Sequence, residues 1–174
     1  TDNASGVQAR ASASMGGGGR REIWKPTIAA INGYAVAGGW SFAQGCDLRI
    51  ASETAQLGIA EVKWNLLAPF GIQLPRQLHL AHVMEIILLG ERVSAQRAYE
   101  MGFVNKVVPP DQLMPTAMEW AERITKNAPL SVRMHNELIM RSFDMDSHSS
   151  AALTGHLYDQ LLQSEDSVEG PKAF

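Results

Sequence analysis

Residues 25–61 read KPTIAAINGYAVAGGWSFAQGCDLRIASETAQLGIAE, and this stretch decides the fold. An apolar, partly β-branched run from Thr27 to Ile31 meets the turn pair Asn32-Gly33, which predicts a strand and its end. Gly38-Gly39 then open a predicted helix running to Gly45. Leu48–Ala51 reads as the next strand and Ala55–Gly58 as a further short one. Strand, helix and strand in that order predict a parallel α/β arrangement. A glycine pair at a helix start leaves bare backbone N–H groups at the positive end of the helix dipole. Such a place holds a phosphate, or an oxygen that becomes negative during a reaction. Further on, Glu61 stands between Ala60 and Val62, a carboxylate in apolar company. Together, an oxyanion donor and a half-buried base are equipment for proton transfer beside a carbonyl.

Working outward, the chain of 174 residues is large enough for one domain with a substantial core. A net charge of −3, with lysines and arginines scattered, gives no electrostatic case for nucleic acid or an anionic membrane as the main partner. No apolar stretch reaches membrane-spanning length. One cysteine, Cys46, excludes an internal disulfide and suits a reducing, cytoplasmic setting; it reads as a packed structural thiol. Residues 1–24 are Ala/Ser/Gly-rich and predict a flexible segment. The run Gly16–Gly19 lacks the Lys-Ser/Thr of a phosphate loop, so it reads as linker. After Glu61, Leu66–Gly71 predicts a loop. His82–Leu89 predicts a helix stopped by Gly90, and Ser94 caps another over Ala95–Met101. Phe103–Val108 is short and β-branched, a predicted strand. Asp111–Asn127, Leu130–Met145 and His148–Gln163 predict three helices, and Val168–Phe174 the start of a fourth. His79 and His82 are a weak metal spacing without a third ligand, so no metal site is expected.

Three segments carry a family resemblance: KPTIAAINGYAVAGG, CDLRIAS with AQLGIAEV, and LLGERVSAQRAYEMGFVNKVVP running on to EDSVEGPKAF. They resemble the crotonase superfamily of enoyl-CoA hydratases and isomerases, over residues 25–174. The resemblance implies an α/β fold, a crotonase-like ββα spiral over residues 25–110, followed by a C-terminal helical trimerisation region over residues 111–174. It implies an acyl-CoA thioester as substrate, with coenzyme A part of that substrate and no separate cofactor. It also implies an enolate held by two backbone N–H groups, of which one maps to Gly38. The family's earlier Ala-Gly-x-Asp segment, which supplies the other, has no counterpart before Lys25. The 174 residues are therefore expected to be the C-terminal portion of a longer enzyme.

Residue by residue, the resemblance makes Glu61 the acid/base; without it, a surface carboxylate at a helix start reads equally well. Gly38 as oxyanion donor competes with a glycine kept for tight strand–helix packing. Ser41 falls where hydratases of the family carry a second glutamate, and a hydroxyl cannot replace a carboxylate as acid/base. One glutamate suits double-bond isomerisation, so hydratase and isomerase both stay open, as does a non-catalytic thioester-binding subunit. Gly39, Trp40, Trp64, Leu66, Pro69 and Phe70 flank these positions and line the acyl pocket or belong to the core. The tail repeats apolar residues at helical spacing: Leu138, Ile139, Phe143, Leu153, Leu157, Leu161 and Leu162. That stripe predicts burial in an oligomer, specifically a homotrimer or a dimer of trimers.

Overall fold

The computed structural model describes residues 24–164 and residue 167. The glycine run and the expected fourth helix lie outside these residues. The chain divides into two compact units, one of Thr27–Met118 and the other of residues 24–26 with residues 119 onward.

In the first unit the strands alternate between two sheets. Strands β1 (Ile28–Ile31), β3 (Leu48–Ser52) and β6 (Lys106–Val108) make one, in the order β1-β3-β6 and all parallel. Strands β2 (Tyr34–Val36), β4 (Gln56–Gly58) and β5 (Arg92–Ser94) make the other, with β2 and β4 parallel and β5 antiparallel. The parallel arrangement expected from residues 25–61 is present. Two strands go beyond expectation: β2 fits between the Asn32-Gly33 turn and the glycine pair, and β5 between Gly90 and the Ser94 cap. A Cβ on Gly58 would stand 3.1 Å from the Glu91 carbonyl oxygen and 3.2 Å from the Arg92 Cα, so any side chain there would press on the β5 backbone and the close β4–β5 pairing favours glycine.

Helix α1 (Gly38–Gly45) leaves the second sheet, and helices α2 (Leu80–Leu89) and α3 (Ala95–Glu100) follow. Glycine stops α2 as expected, with Gly90 in the left-handed conformation at φ 62. Ser94 caps α3 by accepting from the Arg97 N–H at 3.1 Å. The expected loop at Leu66–Gly71 instead enters a 3₁₀ helix at Pro69–Arg76. The strand expected over Phe103–Val108 shrinks to Lys106–Val108. Phe103 and Val104 are buried from a non-repetitive segment, where they serve the core.

That core joins Ile31, Trp40, Leu57, Ile59, Leu74, Ile86 and Phe103. The rings of Trp40 and Phe103 stack at a centroid distance of 4.1 Å and an interplanar angle of 16°. Arg49 also lies over Phe103, with its guanidinium carbon 4.7 Å from the ring centroid. It donates to the backbone carbonyls of Phe103, Ala43 and Cys46. Burial pulls its pKa below the usual arginine value, opposed by Cys46 and Asp47.

Helix α4 (Leu113–Thr125) runs on past the end of the first unit at Met118. The second unit holds α5 (Pro129–Ser142) and α6 (Ser147–Leu162), packed on each other. Asp146 caps α6 by accepting from the backbone N–H groups of His148 and Ser149, at 2.9 and 3.0 Å. The apolar stripe divides here. Leu157 is buried and, with Met134, Leu138 and Leu161, lines a small hollow between α5 and α6. Ile139, Phe143 and Leu162 remain exposed. Part of the stripe is therefore the seam of this helical pair rather than surface left for a partner.

Candidate active site

The site is built on the carboxyl ends of β2 and β4. Val36 pairs with Gly58, and the ladder is extended by Ala37, whose N–H donates to the Gly58 carbonyl at 3.1 Å. Because the strands run in parallel, both chains leave the sheet on the same side. From β2 the chain passes through Ala37 into Gly38 and α1; from β4 it passes through Ile59 and Ala60 to Glu61, the first residue of a 3₁₀ turn, Glu61–Trp64. The carboxyl end of a parallel ladder is where open α/β sheets place ligands.

Ala37 makes the strand-to-helix turn with φ 52 and ψ −115. These angles are close to those of the first central residue of a type II′ turn, a position that favours glycine. Strain of this kind is held where the surroundings over-determine it, often at a functional site. Residue type alone could not reveal it, although an alanine placed before a glycine pair is a place to look. Helix α1 begins with no side-chain cap, and the Ser41 N–H is the first donor to close a turn, onto the Ala37 carbonyl at 3.0 Å. The N–H groups at the start of a helix have no partner within it. Gly38 is exposed, and a Cβ placed on it would meet nothing within 4 Å. Packing around the missing side chain therefore does not require glycine there. Gly39 faces the Tyr34 carbonyl oxygen at an ordinary 3.7 Å from its notional Cβ.

Glu61 is half-buried, and its Oε2 is shut off from solvent with no hydrogen-bond partner among the described residues. Buried carboxylate oxygens are ordinarily satisfied, so an orphan oxygen at the mouth of a parallel ladder calls for a functional explanation. The 3₁₀ turn is held by Lys63 N–H to the Ala60 carbonyl at 3.0 Å and Leu66 N–H to the Glu61 carbonyl at 3.1 Å. Ser41 is half-buried on α1, one turn on from the glycine pair.

The expected lining residues separate. Trp40 has a relative exposure of 0%, and its indole N–H donates to Gln44 Oε1 at 3.2 Å. Of the two places open to it, its ring and N–H are taken up in the core. Phe70 is half-buried against that core, and its carbonyl accepts from the Gln44 side-chain amide. Trp64 and Leu66 are exposed at 74% and 61%, and Pro69 is exposed as well. They form, with Leu67 at 90%, an open apolar rim after Glu61. Cys46 is half-buried, with Sγ 3.5 Å from the Phe42 carbonyl oxygen. Among the described residues, no group of three histidine, cysteine, aspartate or glutamate side chains could hold a metal ion, and no helix is long and apolar enough to cross a membrane.

The family pattern described as enoyl-CoA hydratase/isomerase matches residues 21–174. The chain belongs to this family. It is 44% identical over 155 residues to the (E)-benzylidenesuccinyl-CoA hydratase of Thauera aromatica, covering 88% of this chain and 60% of that protein. The short-chain-enoyl-CoA hydratase of Clostridium acetobutylicum is 36% identical over 152 residues, covering 86% and 58%. Among solved structures, enoyl-CoA hydratase from Bacillus anthracis is similar with a TM-score of 0.87 at 36% identity, covering 97% of this chain and 67% of that one. The fold is that of the crotonase superfamily. The chain spans about 60% of the length of the curated relatives it matches.

Proposed function

We propose that the whole protein is an enoyl-CoA hydratase or isomerase, acting on an acyl-CoA thioester through an enolate. The observation that supports this is the Val36–Gly58 pairing: from the same end of one parallel ladder the chain runs on to Gly38 and to Glu61, whose Oε2 is an orphan. In the proposed reaction the Gly38 N–H donates to the thioester oxygen as it becomes negative, and Glu61 moves the proton. For hydration, Glu61 positions a water that adds as hydroxide to the β-carbon, while a proton goes to the α-carbon. For isomerisation, the carboxylate takes a proton from one carbon and returns it two carbons away, and the double bond moves between them. The exposed rim of Trp64, Leu66 and Pro69 suits an apolar acyl group.

The hydratase names of the relatives favour hydration, whereas Ser41 favours isomerisation, because it puts a hydroxyl where a second carboxylate would assist water. Steady-state assays of the full protein on 2-enoyl-CoA and 3-enoyl-CoA thioesters decide between them: hydration of the first supports hydratase, interconversion of the two supports isomerase. If neither thioester is turned over, the proposal fails. Glu61→Gln should lower turnover by roughly two to four orders of magnitude, with thioester binding within a few-fold. A trimer or a dimer of trimers belongs to the same reading, supported by exposed Ile139, Phe143 and Leu162; light scattering showing a monomer would count against it. The single cysteine fits a cytoplasmic setting.

A further inference from the structure

Gly90 ends α2 buried against the turn that carries Glu61. Its φ of 62 is accessible to glycine at little cost. Conformation is only half of the constraint. A Cβ added at Gly90 would stand 2.8 Å from Val62 Cγ1, 3.2 Å from Lys63 Cε and 3.3 Å from Lys63 Cγ. The first distance is shorter than any real side-chain contact, so something must move. Lys63 is long and can swing away, but Val62 is short, stiff at χ1 and bonded directly to Glu61. The turn itself is one short 3₁₀ segment, and the Lys63 and Leu66 N–H groups that close it bond to Ala60 and Glu61. The part of a push on Val62 that rotation of its half-exposed side chain does not absorb is passed along the backbone to the carboxylate. Oε2 of that carboxylate has no hydrogen-bond partner among the described residues to resist such a push.

We infer that Gly90 is a positioning residue for Glu61: by having no side chain, it lets the Glu61–Trp64 turn close against the end of α2 and so sets where the carboxylate stands. This rests on the reading of Glu61 as the proton carrier. Any side chain at Gly90 should displace the base while leaving the thioester-binding surface of α1 in place. A misplacement on the scale of an ångström costs up to about a hundredfold in rate.

The test is kinetic, on the full protein with the enoyl-CoA thioester that the wild type turns over. Gly90→Ala should lower kcat by about tenfold to a hundredfold with KM within about threefold. Gly90→Asn carries the same Cβ but tolerates positive φ, so it should fold more readily and show the same loss. Val62→Ala removes the methyl that the new Cβ would strike. Combined with Gly90→Ala it should restore kcat to within a few-fold of the wild type, although the strain at φ 62 remains and the melting temperature stays low. A residue needed only for folding would lower the melting temperature of Gly90→Asn and leave kcat per folded molecule unchanged; that result, or failure of Val62→Ala to restore turnover, overturns the inference. Full activity in Glu61→Gln would instead overturn the underlying assignment. An inactive Glu61→Gln beside a fully active Gly90→Asn removes only the role of Gly90.

Discussion

The side-chain amide of Gln44 donates to the backbone carbonyl of Phe70 at 3.0 Å, joining two points 26 residues apart in sequence. Its other end accepts from the Trp40 indole, and Gln77 donates to the Gln44 backbone carbonyl at 3.3 Å. One buried side chain thus ties the helix that begins at Gly38 to the 3₁₀ segment Pro69–Arg76, which begins at the last residue of the apolar rim. Gln44→Leu keeps the volume and leaves the indole N–H and the Phe70 carbonyl unpaired. Each buried group left without a partner costs about 1–3 kcal/mol, so urea unfolding should show a loss of about 2–4 kcal/mol.

Arg49 should be less replaceable still. Its guanidinium holds three backbone carbonyls, two of them at the carboxyl end of α1, while lying over Phe103. Arg49→Met should cost about 3 kcal/mol or more by the same measurement, since hydrogen bonds to charged groups contribute about 1.5–3 kcal/mol each. Arg49→Lys should recover little of this, because a single ammonium cannot reproduce the planar fork.

Ala37 gives a prediction of opposite sign. At φ 52 and ψ −115 an alanine side chain is strained, and glycine is not. Ala37→Gly should raise stability by about 1 kcal/mol, the lower end of what such strain costs, whereas Ala37→Val should lower it. Thermal melts of the two variants decide this.

The helical unit should show a pH signature at Asp146. The backbone N–H and hydroxyl of Ser149, and then the His148 N–H, hold its carboxyl below the ordinary aspartate value of 3.8. A depressed folded-state pKa means that the stabilisation is complete above pH 3.8 and is lost as pH falls through the lower, folded value. Amide exchange at the start of α6 should therefore accelerate as pH falls from 3.8 toward the lower, folded value and level off below it. Asp146→Asn should retain a cap and lose the pH dependence.

The parts legible in the sequence were those whose cause is local. Ile28–Ile31 and Leu48–Ser52 are short stretches built around isoleucine and alanine with turn residues nearby, and Gly90 and Ser94 are stop and cap by chemistry alone. Strands β2 and β5 are three residues wedged between a turn or glycine and a helix start, so their neighbours read as punctuation, and they exist because other strands offer them a ladder. Phe103 and Val104 read as strand because a buried loop and a strand demand the same apolar side chains. At the site, Gly38 and Glu61 could be singled out by type and company. The strain at Ala37, the orphaned Glu61 oxygen and the crowding between Gly90 and Val62 could not, because each depends on segments far apart in sequence. Trp40 was ambiguous for the same reason: an aromatic beside a glycine pair suits a pocket wall and a core equally until Phe103 is seen beneath it.

The alternation of strands between two sheets also sets an order of assembly. Ile28 pairs with Leu48 and Tyr34 with Gln56, so both parallel ladders close over short stretches of chain. Ile50, by contrast, must find Lys106. Loop-closure entropy grows with the intervening length, and pairings distant in sequence delay folding. The strand-and-helix turn that carries Gly38 and Glu61 is thus the part of the first unit that can form on its own contacts, with β6 added afterwards. Pulse-labelled hydrogen exchange should find the amides of Leu48 and Gln56, which donate to Thr27 and Gly33, protected before that of Glu53, which donates to Val108, and simultaneous protection would show that the unit assembles all at once.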